Sequence, residues 1–351
     1  MIIDVVKIFV PSAIAFFIGI ALTPFLTHYL YEYKMWKKEA RREGLGGGGT
    51  PIFNKLHKEK EVGTPRMGGI IIWASVLLTV FVIWTLSKVF PSELTHKLDF
   101  LSRNQTWLPL FTLVSASLVG LVDDILVIYG RGGYIAGGIS LKTRVAIVTA
   151  IGLSGAWWFF FKLGVASVYM PFVGDIYLGV FFIPFFILVM LALFSGGVID
   201  GIDGLAGGTM AVMFASYAGI AFFQNQIDLA AFSAVIAGGT LAFLWFNIPP
   251  ARFYMSETGI LGLTTTLTVV AFLTDAVLVL PIIAFPLFIS SLSVIIQVTS
   301  KKLRGGKKVF LVAPIHHHFE ALGWPSYKVV MRFWVISVVS AIIGITIVLI
   351  G

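Results

Sequence analysis

Ten long apolar runs divide the chain, and polar or glycine-rich segments separate them. The runs lie near residues 5–30, 69–89, 107–126, 144–163, 178–194, 206–224, 228–246, 258–275, 278–298 and 329–350. Most are close to the length of about 20 residues that an α-helix needs to cross a bilayer. The pattern predicts an all-α polytopic membrane protein with about ten transmembrane helices. Pro281 and Pro286 lie inside the ninth run and predict that this helix is bent.

The composition agrees with this class of protein. The chain has 351 residues, of which 58% are hydrophobic and 12% charged, and its mean hydropathy is +0.96. No segment has the composition of a separate soluble domain, so we interpret residues 1–351 as a single integral membrane domain. The sequence contains no cysteine. Disulfides, thiolate metal sites and a cysteine nucleophile are therefore excluded.

The positive charges predict an orientation. Most of the 25 Lys and Arg residues lie in the loops that follow odd-numbered runs. Short cytoplasmic loops collect such residues, so both termini should face outward and these loops should lie in the cytoplasm. The unusual polar residues described below all fall on that side.

Two adjacent carboxylates, Asp123 and Asp124, end the third apolar run. Ionisable groups at membrane depth are costly and usually face a functional interior. Two neighbouring anions repel each other, so both stay ionised only if a cation joins them. Their hard oxygen ligands suggest a divalent metal such as Mg²⁺. The alternative is that the pair merely ends a helix at the lipid headgroups.

A second acidic pair, Asp200 and Asp203, lies in a glycine-rich segment before the sixth run. If a helix begins near Asp200, the two side chains share one face, because residues at i and i+3 are neighbours. They could then accept hydrogen bonds from a base edge or from sugar hydroxyls. Acidic residues in a first helical turn also favour the helix dipole, which is the alternative explanation.

Two further polar features lie in later cytoplasmic loops. Glu257 lies where the eighth helix begins, a position where a lone acid is usually solvated. His316, His317 and His318 follow one another within apolar sequence. Adjacent helical residues point about 100° apart, so all three would not easily hold one metal. At least one is more plausibly a donor to a phosphate oxygen, and a role in proton transfer stays open.

Five motifs together resemble one family, that of the phospho-N-acetylmuramoyl-pentapeptide transferases (MraY translocases). This family belongs to the polyprenyl-phosphate N-acetylhexosamine-1-phosphate transferase superfamily, and the resemblance covers essentially the whole chain. The motifs are GTPRMGG at 63–69, VGLVDD at 119–124, DGIDGLAGG at 200–208, FLWFN at 243–247 and APIHHHFEALGWP at 313–325. The last motif favours the muramoyl-pentapeptide branch over the GlcNAc-1-phosphate branch.

The resemblance implies a fold of ten transmembrane helices and a specific reaction. Phospho-MurNAc-pentapeptide would pass from UDP-MurNAc-pentapeptide to undecaprenyl phosphate, with Mg²⁺ as cofactor, to give lipid I and UMP. The enzyme would serve peptidoglycan synthesis in the bacterial inner membrane, with its active site on the cytoplasmic face. Membrane lipid is an expected partner and nucleic acid is not. The family often forms homodimers, and the helix patterns do not decide whether this chain does.

The resemblance also implies roles for individual residues. The residues with expected catalytic roles are Asp123, Asp124, Asp200, His316, His317 and His318. Asp123 would activate or position the lipid phosphate, Asp124 would help to fix the metal region, and the histidines would assist phosphate binding. Glu257 and Asp200 are the expected metal ligands. The residues expected to bind substrate are Lys60, Thr64, Asp203, Asn247 and Tyr254.

The sequence departs from the family pattern at four positions. Glu257 stands where the family has an aspartate, and Arg144 stands where it has a lysine. Val127 replaces a second lysine, and Gly197 replaces an asparagine. These departures bear on activity and affinity more than on the fold.

Two alternatives remain at this stage. One is a related polyprenyl-phosphate sugar-1-phosphate transferase with another UDP-sugar, which Val127, Gly197 and Glu257 favour. The other is an ion-coupled transporter whose buried carboxylates bind ions. The clustering of the acids on one face of the membrane argues against a pathway across it.

Overall fold

The computed structural model describes residues 2–38, 62–102, 105–132 and 137–351. Lys60, one of the expected substrate-binding residues, lies outside these ranges. Within them, nine helices are long and apolar enough to cross a membrane, and one bent pair of helices supplies a tenth span. The prediction of about ten transmembrane helices is therefore confirmed.

The helices that build the bundle are named here in chain order. They are α1 Ile2–Glu32, α2 Ile70–Val89, α3 Glu93–Leu98, α4 Trp107–Ile128, α5 Leu141–Trp157, α6 Phe182–Gly196, α7 Leu205–Phe223, α8 Ile227–Asn247, α9 Ser256–Leu273, α10 Leu280–Ile283, α11 Phe285–Leu303, α12 Ile315–Ala321 and α13 Ser326–Ile350. One antiparallel hairpin, β1 Ser167–Met170 and β2 Gly174–Tyr177, lies between α5 and α6.

The bend predicted from the two prolines is confirmed. The span made by residues 277–303 turns by 80° at its break, so that α10 and α11 point in different directions. Pro286 lies in the first turn of α11, where a missing N–H costs nothing and the fixed φ favours a helix start. The same residue cannot continue a helix from the preceding segment, because it has no N–H to donate.

The centre of the bundle is formed by α7, α8 and α9, which are almost entirely buried. The helices α1 and α13 are mostly exposed and carry large apolar side chains outward, as Phe17, Phe25 and Val335 show. In water such a surface would be unfavourable, whereas in a bilayer it faces lipid tails.

The start of α9 packs against the start of α2 at backbone contact. The amides of Gly68 and Gly69 donate to the carbonyl oxygens of Tyr254 and Met255, at 2.8 and 3.1 Å. A Cβ at Gly69 would lie 2.3 Å from the Cα atom of Gly259. Only residues without side chains allow this approach, so the glycines fix the start of α2 against the start of α9.

The apolar run at 206–224 matches the observed helix, but no helix begins near Asp200, so the condition for Asp200 and Asp203 to share one helix face is not met. The helix α7 begins at Leu205, and Asp200 to Gly204 form a turn after α6. Gly204 has a φ of 81°, in the left-handed region that glycine adopts without steric cost. Asp200 and Asp203 are therefore held by a glycine-rich turn instead of sharing one face of a helix.

Close packing of α4 against α9 makes a testable prediction. A Cβ at Gly120 would lie 2.1 Å from the carbonyl oxygen of Glu257. Because this oxygen belongs to the backbone, it cannot move aside by a side-chain rotation. We expect Gly120→Ala to lower the free energy of unfolding by about 1–3 kcal/mol, measured by unfolding in mixed detergent micelles.

The matched control is Gly219→Ala within α7, where a Cβ would meet no atom within 4 Å. Alanine is the better helix former, so this change should be neutral or stabilising by up to about 1 kcal/mol. Equal losses in the two variants would contradict the packing described here.

Candidate active site

The two aspartates of α4 are buried in the last turns of that helix. Asp123 is 2% exposed and Asp124 is fully buried. Carboxylates are almost never buried to this degree without partners. The alternative that the pair simply ends a helix among the headgroups does not fit this burial.

Asp124 has a partner on each of its oxygens. Its Oδ1 accepts hydrogen bonds from Nε and Nη2 of Arg66, at 3.1 and 2.9 Å. Its Oδ2 accepts a hydrogen bond from the amide of Thr258 at 3.0 Å. Burial alone would lower the pKa of Arg66, but the charge and hydrogen bonds of Asp124 raise it above its usual value. Arg66 therefore stays charged, and Asp124 is held as an anchor between the 62–69 segment and α9.

Asp123 is held from the opposite side by the loop that precedes α5. Its Oδ1 accepts a hydrogen bond from the amide of Ile139 at 2.5 Å, and its Oδ2 lies 3.0 Å from Nη2 of Arg144. The side chain of Ser140 caps α5 by accepting a hydrogen bond from Thr143, which fixes the helix that carries Arg144. The Asp123 carboxylate is thus paired but less fully bonded than Asp124.

Arg144 joins Asp123 to Glu257. Its Nη1 lies 2.5 Å from Oε1 of Glu257, while its Nε donates to the carbonyl oxygen of Ile139 at 3.0 Å. The guanidinium group presents several donors in one plane, so one side chain can bridge two carboxylates. Two of the departures from the family pattern, Arg144 and Glu257, are therefore in direct contact.

Asp200 reaches the same place from the turn after α6. Its Oδ2 accepts a hydrogen bond from the amide of Ser256 at 2.9 Å. Burial raises the pKa of Asp200 to about 6, and the charges of Glu257 and Asp203 add to this effect. The hydrogen bond from Ser256 and the charge of Arg66 act in the opposite direction.

The first turn of α9 is therefore the point where the carboxylates meet. It supplies the amides of Ser256 and Thr258 to Asp200 and Asp124, and it carries Glu257 itself. Amides in a first turn have no partner within their own helix and favour negative charge nearby. The structure thus brings together the acids that the sequence places far apart along the chain.

The three histidines separate into a pair and a single residue. The Nε2 atoms of His316 and His317 each lie 2.6 Å from the position that a Cβ of Gly201 would occupy, next to Asp200. His318 instead accepts a hydrogen bond on Nδ1 from the amide of Leu311 and packs against Phe310. His318 therefore has different neighbours from His316 and His317.

Asn247 is buried and bonded within the protein. Its Oδ1 accepts a hydrogen bond from the amide of Gly204, and its Nδ2 donates to the carbonyl oxygen of Phe253, both at 2.9 Å. These contacts tie the turn after α6 to the segment before α9. Its expected contact with a nucleoside stays a prediction, as it does for the half-buried side chains of Thr64, Asp203 and Tyr254.

The two other departures from the family pattern are Val127 and Gly197. Val127 is buried, and its Cγ2 lies 2.7 Å from where a Cβ of Gly138 would be. Gly197 leaves space in which a Cβ would meet only the side chain of Ile260, at 3.4 Å or more.

Two residues of the site were not assigned a role from sequence. Arg66 is part of the GTPRMGG motif, but its pairing with Asp124 joins residues 58 positions apart, which local sequence does not indicate. Glu320 accepts or shares a proton with Nδ1 of His317 at 2.7 Å. Its spacing of three residues on one helix is a signal that could have indicated this contact.

The donor set fits Mg²⁺. In the part of the chain described, no three His, Asp or Glu side chains stand in a ready-made metal cluster. Mg²⁺ usually takes only one or two carboxylates and completes its shell with water and substrate phosphates. Four carboxylates, Asp123, Asp124, Asp200 and Glu257, surround two guanidinium groups, so negative charge is in excess.

The bridge made by Arg144 can be tested by a double-mutant cycle. Arg144→Gln and Glu257→Gln each remove one charge of a half-buried pair, and the double variant removes both. We expect the two effects on the free energy of unfolding to be non-additive by about 1–3 kcal/mol, because each residue acts through the other.

The matched control is the pair Glu93 and Lys97, which lies on the surface of α3. The same cycle there should show no measurable coupling, since exposed ion pairs contribute little. Additive effects at Arg144 and Glu257 would show that the two side chains do not interact in solution.

The raised pKa of Asp200 predicts a pH dependence. The usual pKa of an aspartate is 3.8, and that of Asp200 in the folded protein is about 6. At pH values between these two, the Asp200 carboxyl group is protonated to a greater extent in the folded state than in the unfolded state. Stability due to this group is therefore lost as the pH rises through that window. In EDTA, we expect the stability of Asp200→Asn relative to the unsubstituted protein to rise by about 2–3 kcal/mol between pH 4 and pH 7.

Glu93→Gln is the control for this measurement. The hydrogen bond from Lys97 lowers the pKa of the exposed Glu93, so its replacement should not stabilise the protein as the pH rises. A pH-independent difference for Asp200→Asn would contradict the burial of this carboxyl group.

Comparisons with known proteins agree with the family that the motifs indicate. The model of glycosyl transferase family 4 matches residues 106–275. The phospho-N-acetylmuramoyl-pentapeptide-transferase of Anoxybacillus flavithermus is 35% identical over 341 residues, which covers 95% of each chain. The protein of the same name from Listeria innocua is 33% identical and covers 96% of this chain and 97% of its own. That from Chloroflexus aurantiacus is 34% identical, over 90% of this chain and 85% of its own. The chain belongs to the phospho-N-acetylmuramoyl-pentapeptide transferase family.

Proposed function

We propose that this protein transfers phospho-MurNAc-pentapeptide from UDP-MurNAc-pentapeptide to undecaprenyl phosphate, giving lipid I and UMP. The observation that carries the proposal is the cluster of Asp123, Asp124, Asp200 and Glu257 around the first turn of α9, at one end of a membrane-spanning bundle. A lipid-borne acceptor and a water-soluble donor can meet only at such a boundary. The relatives named phospho-N-acetylmuramoyl-pentapeptide-transferase support transfer of the same group.

The reaction exchanges one phosphoanhydride bond for another. An oxygen of the lipid phosphate forms a bond to the phosphorus that carries the sugar, and the bond to UMP breaks. Catalysis of such a transfer depends mainly on positioning and on neutralising charge. A site that already holds four carboxylates and two guanidinium groups in fixed geometry provides the means for both.

Asp123 is the residue best placed to meet the lipid phosphate. It is held by one amide and one guanidinium group near the end of α4, whereas Asp124 is fully engaged by Arg66 and Thr258. Asp123 would position the acceptor or take its proton. Arg144, which contacts Asp123, would then be available to a phosphate oxygen, since guanidinium groups bind phosphate with charge-assisted hydrogen bonds.

Asp200 and Glu257 would hold Mg²⁺. Bound there, the ion would neutralise the charge of the diphosphate. Asp200 also lies in the turn that Asn247 and Gly204 fix, so the turn would place the donor's nucleotide next to the metal ligands. His316 and His317, which approach Gly201 beside Asp200, would contact the phosphates from the other side.

The cytoplasmic side of the bacterial inner membrane is the proposed location of the site. The basic residues of the chain concentrate in the loops at this end of the helices, as expected for the cytoplasmic face. This face is also where nucleotide-activated sugars are available. The homodimer expected from the family resemblance stays a prediction.

Release of UMP tests the proposal. Purified protein in detergent, supplied with undecaprenyl phosphate and Mg²⁺, should release UMP from UDP-MurNAc-pentapeptide and not from UDP-GlcNAc. Asp123→Asn should lower kcat by about 10²-fold or more, because it removes a charged group from the reacting centre. Gly219→Ala, which lies far from the cluster in α7, is the matched control and should keep its activity.

Three results would contradict the proposal. Turnover of UDP-GlcNAc instead would indicate a related sugar-1-phosphate transferase. Release of UMP that Asp123→Asn leaves unchanged would show that the acidic cluster is not the site. Absence of release from both donors would exclude this activity and leave ion-coupled transport to be tested in vesicles.

A further inference from the structure

Glu320 is a buried carboxylate to which the reaction scheme above gives no role. It is 6% exposed, on the short helix α12 that carries the histidines. Its Oε2 lies 2.7 Å from Nδ1 of His317, and its Oε1 accepts a hydrogen bond from Oγ of Ser326 at 2.5 Å. A carboxylate is rarely buried to this extent unless it is paired with donors or with an opposite charge.

The contact on Nδ1 determines where the other nitrogen of the ring lies. With Nδ1 directed at Glu320, Nε2 of His317 points toward Gly201 and reaches within 2.6 Å of the position of a Cβ there. Gly201 follows Asp200 directly. The carboxylate therefore contacts one nitrogen of the imidazole, and the opposite nitrogen lies beside the backbone of Gly201.

A carboxylate in this position has two physical effects on the ring. It fixes the orientation and places a proton on Nδ1, because an ionised carboxylate can only accept. When the ring is charged, the carboxylate also attracts it, because the opposite charges lie within hydrogen-bond distance. The charged ring carries an N–H at Nε2 as well and would donate a charge-assisted hydrogen bond to a phosphate oxygen.

We propose that Glu320 is a positioning residue that orients His317 and keeps its Nε2 directed at the phosphates of the nucleotide donor. The inference rests on the proposed function for the identity of that ligand. Glu320 itself touches no reacting atom, and its effect is transmitted through His317.

A purely structural role for Glu320 makes different predictions. Its second hydrogen bond, to Ser326, ties α12 to the first turn of α13. If this tie were the whole function, Ser326→Ala would weaken nucleotide binding as much as a change at Glu320. If positioning is the function, Ser326→Ala should leave UMP affinity within about twofold, because the bond to His317 remains.

The test is a double-mutant cycle on UMP binding. Glu320→Gln keeps the size of the side chain, removes its charge and replaces one acceptor oxygen with an amide donor. We expect it to raise the Kd for UMP by about 10-fold, which is the low end of the effect found when a hydrogen bond to a charged group is lost. His317→Ala should weaken binding to a similar or greater extent. Adding Glu320→Gln to His317→Ala should then change Kd no further.

Additive effects of the two substitutions would overturn the proposal, as would a loss in Ser326→Ala equal to that in Glu320→Gln. The folded state of each variant is checked by its thermal unfolding. If Glu320→Gln fails to fold, the ¹⁵N resonances of His317 in the unsubstituted, ligand-free protein decide. A proton on Nδ1 is expected, and a neutral ring with its only proton on Nε2 would overturn the proposal.

These outcomes separate the inference from the proposed function. Turnover of UDP-MurNAc-pentapeptide together with unchanged UMP binding in Glu320→Gln would overturn the inference alone. If the unsubstituted protein neither releases nor binds UMP, the proposed function fails. The ring of His317 would then still report whether Glu320 holds it, because that measurement needs no ligand.

Discussion

The first turn of α9 is the constraint on which the site depends. Four carboxylates cannot share one end of a membrane bundle unless donors and cations are supplied to them, because desolvation and mutual repulsion both disfavour the ionised forms. The amides of Ser256 and Thr258 supply part of this compensation, and Arg66 and Arg144 supply the rest. Segments from different parts of the chain therefore meet at this turn.

Small residues make the convergence possible. Gly69 and Gly120 bring the start of α2 and the end of α4 into backbone contact with α9. Gly201 likewise allows the histidine helix to approach closely, since any side chain at this position would collide with His316 and His317. Charged groups are held at bonding distance because the backbones that carry them lie unusually close. The electrostatics of the site are thus a consequence of its packing.

The histidine helix is integrated into the bundle by polar contacts on both sides. Gln297 of α11 bonds the backbone of Val309 and Phe310, and Ser293 accepts a hydrogen bond from the amide of Ile315 at the start of α12. At the other end, Glu320 and Ser326 join α12 to α13. The helix α11, which follows the bend, therefore carries residues that hold the histidine helix in place.

The sequence by itself determined the class of fold, the number of spans, the bend at Pro286 and the residues that belong to the family motifs. These features follow from hydropathy, proline and local residue patterns, which act over short stretches of chain. The sequence did not determine that Arg66 pairs with Asp124, that Asp200 and Asp203 lie in a turn, or that His318 is separated from the other two histidines. Those features depend on which distant backbones approach one another, and only the tertiary structure decides that.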